Sequence, residues 1–349
     1  MKLAQESIFS SAVRSFVMTF FAIVGIGAAL IPIVLLFGII MDSDSFNIRK
    51  TTTPYIAANA EGERVSFHQN VPVILKLNIE GVIGSENMTY EKFRAKLMES
   101  REGIFTKNKV KAIMLTINSP GGVALDSDAI YRALKDYKED FGVPIYAYVE
   151  GICASGAMHI ASAADKIYAS NVSIIGSIGS IFPPFFNISK PLNKLGIESM
   201  TLYSGHGKDM LSPLRPWNPD ESKSMQTLLD YMYEHLVNTV TSERPTIDKD
   251  KLVNEYGAGV FVAKDAMKRG FIDGIGYNER SVLKEIVENT DLDGKDYQVI
   301  ELESQRFFPG IFEHSSLLKS GTVKHRLDIS SEFSPELMGK FLYLYRPGQ

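Results

Sequence analysis

Two short segments carry residue types that could build a hydrolytic site, and each follows an apolar run. The first is residues 118–122 (NSPGG), and the second is residues 151–157 (GICASGA). Glycine turns leave backbone N–H groups free to point at a ligand oxygen, which is how an oxyanion site is built. Ser155 in the second segment would present its hydroxyl at a sheet edge, beside the amide of Gly156. Each segment alone also fits an ordinary strand-to-helix turn, with Ser155 only as the N-cap.

A serine nucleophile needs a base, and no histidine is obviously placed for that role. His159 lies one helical turn after Ser155, where a packing or pocket role is favoured. His206 is a weaker candidate than Lys208, which lies in the glycine-rich segment 203–209 (YSGHGKD). A lysine acts as a base only when it is uncharged, and this requires a desolvated site or a cationic neighbour.

Composition excludes several other kinds of site. The single cysteine, Cys153, forbids an intrachain disulfide and a cysteine-rich zinc or iron–sulfur site. As a nucleophile Cys153 is a minor option, because no partnership with a histidine is evident. The net charge of −4 over 349 residues gives no electrostatic reason to expect a nucleic-acid partner. With 45% apolar residues, the chain can bury a full core.

Alternating strands and helices are predicted to position the two segments. Short apolar runs bounded by polar residues are typical of buried parallel strands, and they occur at residues 73–79, 112–117, 145–149, 167–169 and 200–203. Helical patterns lie between them, and residues 218–221 (NPDE) are predicted to open a long amphipathic helix. The alternation predicts a layered α/β domain with mostly parallel strands.

The N-terminal part of the chain predicts a membrane anchor. Residues 16–41 are apolar and uncharged over a length that crosses a hydrocarbon core of ~30 Å as a helix. A buried core helix and a cleaved signal peptide are the weaker alternatives. The flanking charges favour a cytoplasmic N-terminus only slightly. A short tail before a large domain fits a single-pass signal anchor with that domain outside the cytoplasm.

These patterns divide the chain into five parts. Residues 1–15 form an N-terminal tail, and residues 16–41 form the transmembrane signal anchor. A polar linker follows at residues 42–70, and the α/β domain is predicted at residues 71–294. Residues 295–349 form an irregular C-terminal extension. Near its end lies the aromatic sequence FLYLY, which is followed by the last four residues, RPGQ.

Together the motifs resemble the signal peptide peptidase A family, membrane-bound Ser–Lys peptidases of the Clp/crotonase fold. The likeness runs from about residue 71 to residue 287, and it includes INSPGG, CASGAMHIASAADKIYAS, GSIGSI, SGHGKDMLSPLRP and AMKRGFIDGIG. The terminal FLYLY is also similar to the family's ending. One departure is SGAMH at residues 155–159, where the family usually has Ser-Gly-Gly-Tyr-Tyr. This difference would affect the substrate pocket.

The resemblance implies a Clp/crotonase-like α/β fold and a membrane-bound serine endopeptidase that acts through an acyl-enzyme. Its substrates would be signal-peptide-like or membrane-associated peptides. Ser155 would be the nucleophile and Lys208 the general base. The amides of Gly122 and Gly156 would form the oxyanion hole, with Gly121 a close second to Gly122. No cofactor and no metal are implied.

The resemblance also implies partners. Single-copy members of the family form rings in which Ser and Lys come from neighbouring protomers, and this chain carries one copy of the unit. We therefore expect a homo-oligomer with shared active sites on the lipid bilayer of the cell membrane. The apolar segment 174–186 would suit membrane-derived substrates, although its residues fit core and interface packing equally well.

Two other functions fit the same motifs. A crotonase-type acyl-CoA enzyme uses the same paired amides on a thioester enolate, but it does not need Ser155. A non-catalytic, membrane-anchored oligomeric scaffold would keep the fold without hydrolysis. Loss of activity in Ser155→Ala separates the peptidase from the first alternative, and covalent labelling of Ser155 separates it from the second.

Overall fold

The chain divides into two compact units, Met1–Thr51 and Thr52–Gln349. The computed structural model describes residues 8–41, 53–68, 70–303 and 340–345. The described part of the first unit is one helix, α1 (Ile8–Met41). Within α1, Val13–Pro32 has a mean hydropathy of 2.1 and is not buried. This stretch is long and apolar enough to cross a membrane, a criterion that a signal sequence also meets.

The helix begins earlier than the predicted span. It starts at Ile8, inside the segment expected to be an N-terminal tail, because nothing in residues 8–15 (IFSSAVRS) interrupts a helix. Pro32 lies within α1. A proline is better tolerated in a membrane helix than in a soluble one.

The second unit is built on a sheet of nine strands among its described residues. The strands of this unit are β1 (Thr53–Ala57), β2 (Val73–Glu80), β3 (Val110–Ser119), β4 (Gly121–Val123), β5 (Ile145–Ala154), β6 (Lys166–Ala169), β7 (Ile174–Gly176), β8 (Val260–Val262), β9 (Gly274–Ile275), β10 (Gln298–Glu303) and β11 (Leu342–Leu344). Their order is β1-β10-β2-β3-β5-β6-β9, with β7 paired to β5 and β8 to β7. Only β1 with β10 and β7 with β8 are antiparallel in this sheet, so the predicted mostly parallel α/β sheet is confirmed.

Helices cover both faces of the sheet. They are α2 (Tyr90–Glu99), α3 (Ala124–Phe141), α4 (Gly156–Ala161), α5 (Ser189–Lys194), α6 (Lys223–Glu243), α7 (Lys249–Lys251), α8 (Ala263–Lys268) and α9 (Glu279–Glu288), with a 3-10 turn at Gly103–Phe105 and a π-helical turn at Leu252–Tyr256. Successive side chains of β3 enter different cores because a strand alternates its faces. Leu115 packs in a cluster with Ile130 of α3 and Met158 of α4, whereas Met114 packs in a cluster with Ile286 of α9.

Four of the five predicted strands are confirmed. The runs at residues 73–79, 112–117, 145–149 and 167–169 lie within β2, β3, β5 and β6. The fifth prediction, at residues 200–203, is wrong, because this described segment forms no strand. Met200 and Leu202 are 86% and 88% exposed, so the apolar run lies on the surface instead of in a sheet.

The start of the amphipathic helix is also corrected. The helix α6 begins at Lys223, not at the predicted Asn218. The Glu221 carboxylate accepts a hydrogen bond from the backbone N–H of Asn218 at 2.9 Å, and Glu221 N–H donates to the Asn218 carbonyl at 3.2 Å. These bonds close a separate turn before the helix, so the capping pattern belongs to that turn.

The α/β unit extends beyond the boundaries predicted at residues 71 and 294. The edge strand β1 lies in the predicted linker, and β10 and β11 lie in the predicted extension. Strands β1 and β10 pair with each other, and β10 joins the sheet beside β2. An edge strand such as β1 needs no continuous apolar run, and it even accommodates Pro54, so this segment does not resemble a buried strand in sequence. Residues 42–52 and 69 of the predicted linker lie outside the described residues.

Leu115→Ala should lower the free energy of unfolding by about 2–5 kcal/mol, because it removes a fully buried side chain and leaves a cavity. Leu125 on α3 is 67% exposed, so Leu125→Ala is the matched control, with an expected change below about 0.5 kcal/mol. Urea unfolding in mild detergent, followed by circular dichroism, measures both. Equal effects of the two substitutions would contradict the packed core at Leu115.

Candidate active site

The two glycine-containing segments lie at the same edge of the sheet. Strands β3 and β5 are parallel neighbours, so their carboxyl ends point in the same direction, and Ser119 lies opposite Cys153. Strand β4 begins one residue after β3, and α4 begins with Gly156, one residue after β5. The fold therefore brings together the two loops that the sequence analysis selected.

Ser155 connects β5 to α4 in an unusual backbone conformation. Its φ is 56° and its ψ is −116°, and a positive φ costs of order 1–3 kcal/mol for a residue with a side chain. Its N–H donates to the Gly176 carbonyl at 2.8 Å, and its carbonyl accepts from the His159 N–H at 3.0 Å. The hydroxyl makes no capping bond to α4 and donates instead to the Gly179 carbonyl at 3.4 Å. The N-cap interpretation therefore does not account for this serine.

The glycines at the site allow backbone segments to approach very closely. Gly121 has a φ of +94°, and a Cβ on it would lie 2.7 Å from the amide nitrogen of Gly156. A Cβ on Gly122 would lie 2.0 Å from the Ile83 carbonyl oxygen. The Gly121 N–H is already engaged, because it donates to Ser119 Oγ at 3.1 Å. Gly122 is paired with Tyr343 of the C-terminal strand, so the choice between the two predicted amides stays a prediction.

The C-terminal strand β11 lies along β4 in an extended conformation. The two strands are antiparallel, and on its other side Leu342 exchanges two backbone hydrogen bonds with Ile181, at 2.9 and 3.0 Å. The Tyr343 carbonyl oxygen would lie 2.1 Å from a Cβ on Gly121 and 3.1 Å from a Cβ on Gly156. A peptide carbonyl thus lies against both glycine segments. Sequence reasoning noted FLYLY only as a family likeness and missed this pairing.

The Tyr343 side chain enters the core beside α4. It is 1% exposed, and its hydroxyl donates to the Met232 carbonyl at 2.5 Å. The ring centre lies 5.9 Å from that of His159, which in turn lies 5.0 Å from that of Tyr131. Burial lowers the pKa of His159 to about 4, so its imidazole is neutral at physiological pH. His159 is therefore a buried pocket residue, as the sequence analysis favoured.

Lys208 makes no hydrogen bond to Ser155 among the described residues of one protomer. It lies in the segment between α5 and α6, and its side chain is exposed. Among the described residues its ammonium has no hydrogen-bond or ion-pair partner, and Ser155 Oγ bonds only to the Gly179 carbonyl. His206, in the same segment, is also exposed. The role predicted for Lys208 stays a prediction.

An ion-pair network anchors the segment that carries Lys208. Arg215 Nε donates to Asp209 Oδ2 at 2.6 Å, and the same guanidinium also binds the Glu221 carboxylate. The hydrogen bond from Arg215 lowers the pKa of Glu221 to about 2. Glu221 also accepts from the Leu211 N–H at 2.9 Å, which ties the segment to the turn before α6. Asp209, Leu211 and Arg215 lie within the quoted motif SGHGKDMLSPLRP, and Glu221 follows it, but nothing in their spacing identified the network.

Cys153 is placed as an inert core residue. It is fully buried on β5, and burial raises the pKa of its thiol. Because the thiolate is the reactive form, a raised pKa opposes both nucleophilic attack and alkylation. The structure thus agrees with its low rank among the candidate nucleophiles.

Cys153 should react with Ellman's reagent far more slowly in the native protein than in guanidinium chloride, where the thiol is exposed and its pKa returns to the usual range. The comparison is an exposed cysteine, Lys268→Cys in a Cys153→Ala background, since the Lys268 side chain is 64% exposed. This variant should react rapidly in both conditions. Rapid native labelling of Cys153 would show that this core position is open to solvent.

Comparison with known proteins finds family models and relatives that match the part of the chain around Ser155. Residues 138–292 match the model of peptidase family S49, and residues 80–174 match the model of Clp protease. A putative signal peptide peptidase SppA of Enterococcus faecium is 31% identical over 215 residues, which cover 59% of this chain and 60% of that protein. The serine protease SPPA of Arabidopsis chloroplasts is 30% identical over 187 residues, covering 53% of this chain and 27% of the relative.

Protease 4 of Haemophilus influenzae is 29% identical over 221 residues, which cover 61% of this chain and 34% of that protein. This chain thus spans less than two thirds of the length of these relatives. Among solved structures, the ClpP1 N165D mutant from Listeria monocytogenes gives a TM-score of 0.39 at 15% identity, covering 60% of this chain and 94% of that one.

The family matches include the strand, turn and helix that carry Ser155, and the family predicted from the motifs is confirmed. This chain is thus similar to the signal peptide peptidase A family of serine peptidases, it matches the peptidase family S49 model over residues 138–292, and it has a Clp protease-like α/β fold.

Proposed function

We propose that this chain is a membrane-anchored serine endopeptidase with Ser155 as the nucleophile and Lys208 as the general base. The observation that carries the proposal is the backbone of Ser155, which holds a positive φ beside Gly156 and the glycines of β4. Strained backbone in a residue with a side chain is concentrated at functional sites. Nothing in the packing of an ordinary strand-to-helix turn requires it here.

The proposed reaction is acyl transfer to a serine. Uncharged Lys208 accepts the proton of Ser155 Oγ as this oxygen attacks the carbonyl carbon of a peptide bond. The amides of Gly122 and Gly156 donate to the oxyanion of the tetrahedral intermediate. Lys208 then gives its proton to the leaving amine, and the acyl-enzyme forms. Water, deprotonated by Lys208, hydrolyses the ester and releases the second product.

Strand β11 supports the view that the site receives extended peptides. It adds to β4 by main-chain pairing and contacts Ile181 on its other side, so the groove holds a strand through backbone bonds. Recognition of this type depends little on side-chain identity, and pockets for alternate side chains supply the specificity. The carbonyl of Tyr343, which lies against Gly121 and Gly156, indicates where a substrate carbonyl would lie.

A second copy of the chain would complete the site. Lys208 and Ser155 make no contact within one described protomer, and the segment that carries Lys208 exposes many large apolar side chains. The exposed apolar residues of this segment are Leu195, Ile197, Met200, Leu202, Tyr203, Met210, Leu214 and Trp217. Exposed apolar surface of this kind marks an interaction site. We therefore propose a homo-oligomer in which Lys208 of one protomer meets Ser155 of the next.

The helix α1 supports membrane attachment. Its apolar stretch Val13–Pro32 matches a bilayer in length and composition. We propose that α1 is a single-pass anchor in the cell membrane, with the peptidase domain on the extracytoplasmic side. Substrates would then be apolar, signal-peptide-like or membrane-associated peptides that leave the bilayer near the groove.

Ser155→Ala should abolish hydrolysis of an apolar peptide and also labelling by a fluorophosphonate probe, because both need the serine hydroxyl. Lys208→Ala and Lys208→Arg should both reduce turnover by at least about a hundredfold, since a missing or permanently protonated side chain cannot accept the proton. Lys194→Ala, on α5, is the matched lysine control and should retain activity. Full-length protein in detergent is assayed by release of a fluorescent product.

The outcomes of these assays distinguish the proposed serine peptidase from the alternative functions. Hydrolysis that survives Ser155→Ala would exclude the serine mechanism. A folded, assembled wild-type protein that neither cleaves peptides nor takes the probe would be the non-catalytic scaffold. Near-normal turnover in Lys208→Arg would remove Lys208 from the role of base while leaving Ser155 in place.

Mixed oligomers test whether the site is shared. Ser155→Ala and Lys208→Ala are each inactive alone, but co-expression should restore about a quarter of the sites, because random neighbours in a ring then combine an intact Ser155 with an intact Lys208. The control is co-expression of Ser155→Ala with the double variant, which contains no intact serine. Failure of the mixture to regain activity, with assembly verified by native mass spectrometry, would place both residues in one protomer.

A further inference from the structure

Three side chains that the proposed mechanism does not use lie close together near the ring of Tyr343. Asp128 comes from α3, His159 from α4 and His235 from α6. Their candidate ligand atoms all lie within 4.8 Å of one another. Asp128 Oδ1 is 2.8 Å from His235 Nε2 and 3.8 Å from His159 Nε2. No step of the proposed hydrolysis uses this cluster.

His159 is the member that needs a partner. Its side chain is fully buried, yet neither ring nitrogen has a hydrogen-bond partner among the described residues. Buried polar groups in folded proteins are almost always satisfied, so an unpartnered imidazole calls for a ligand. The ring points Nε2 toward Asp128 and lies 5.9 Å from the ring of His235, centre to centre. An atom bound among the three residues would give His159 the partner that the protein does not supply.

The donor set favours a transition metal. Two imidazole nitrogens and one carboxylate oxygen suit Zn²⁺ and its close relatives, whereas Mg²⁺ and Ca²⁺ prefer oxygen donors. Tetrahedral Zn²⁺ with bonds of about 2.1 Å places its ligand atoms about 3.4 Å apart. The observed 2.8 and 3.8 Å lie on either side of this spacing, so small side-chain rotations suffice.

The surroundings orient the ligands and leave a path for the ion. Arg132 Nε donates to Asp128 Oδ2 at 2.8 Å, which turns Oδ1 toward the two histidines. The side chain of His235 is 42% exposed, so an ion can enter from solvent on that side. Three protein ligands leave the fourth position for water.

We propose that Asp128, His159 and His235 form a binding site for Zn²⁺ that clamps α3, α4 and α6 together. The site does not depend on the proposed peptidase activity. Because α4 begins directly after Ser155, the ion would brace the helix that follows this residue, and it would also support the ring of Tyr343. His159 lies in the segment SGAMH, where the sequence departs from the motif usual in the family it resembles.

Direct metal binding tests the proposal. Full-length protein with a histidine-free tag is stripped with EDTA in detergent, then titrated with Co²⁺ and Zn²⁺. We expect about one Zn²⁺ per chain by mass spectrometry of the metal, a visible tetrahedral Co²⁺ absorption that Zn²⁺ displaces, and a higher melting temperature with Zn²⁺. Asp128→Asn, His159→Tyr and His235→Gln should each weaken binding at least about tenfold. His159→Tyr restores the residue usual in the family.

The matched control is His68→Gln, an exposed histidine outside the cluster, which should bind Zn²⁺ as the wild type does. Circular dichroism establishes that each variant is folded. If His159→Tyr fails to fold, His235→Gln, at a partly exposed position, decides the question. Wild-type protein without stoichiometric Zn²⁺, or ligand variants that bind as tightly as His68→Gln, would overturn the site and leave only a hydrogen-bonded Asp–His pair. Neither result bears on whether Ser155 is a nucleophile.

Discussion

The backbone of Ser155 is the constraint on which the rest of the site depends. A positive φ is unfavourable for serine, so the surrounding structure must impose it. The bond from its N–H to Gly176 fixes it to β7, and the bond from His159 fixes it to the first turn of α4. The glycines complete the arrangement, since a Cβ on Gly121 would collide with the Tyr343 carbonyl and crowd the Gly156 amide. The nucleophile candidate and both amides are thus positioned by main chain alone.

The parallel sheet makes this local geometry possible. Neighbouring parallel strands end at the same edge, so the loops after β3 and β5 meet although Gly122 and Ser155 are 33 positions apart in the sequence. Strand β3 is buried on both faces, with Leu115 and Met114 in different clusters. Two packed faces hold the strand against lateral movement, and they transmit this rigidity to the loops at its end.

Sequence patterns predicted the centre of the sheet and failed at its margins for a physical reason. Central parallel strands are buried on both faces, so each appears as an apolar run, and β2, β3, β5 and β6 were found in this way. The edge strand β1 is paired on one side only, and β10, which lies between β1 and β2, has Glu301 and Glu303 among its apolar residues, so neither carries such a run. Residues 200–203 are the opposite case, because an apolar run exposed on a loop has the same composition as a buried strand. Composition alone therefore does not specify whether an apolar run is buried in a sheet or exposed on a loop.

The site shows the same division. The motifs identified Ser155 and the glycines because the residues of each motif lie together in a single loop. Asp128, His159 and His235 come from three helices, so no sequence spacing connects them. Lys208 illustrates a further limit, since the chemistry proposed for it would depend on a surface that one chain does not contain. An amine in water is solvated and charged, and removal from water favours its uncharged form. Lys208 is exposed in the protomer, among apolar side chains that a second copy would cover. Assembly would then remove the amine from water and deliver it to a buried hydroxyl in one step, so that an isolated protomer carries a nucleophile without its base.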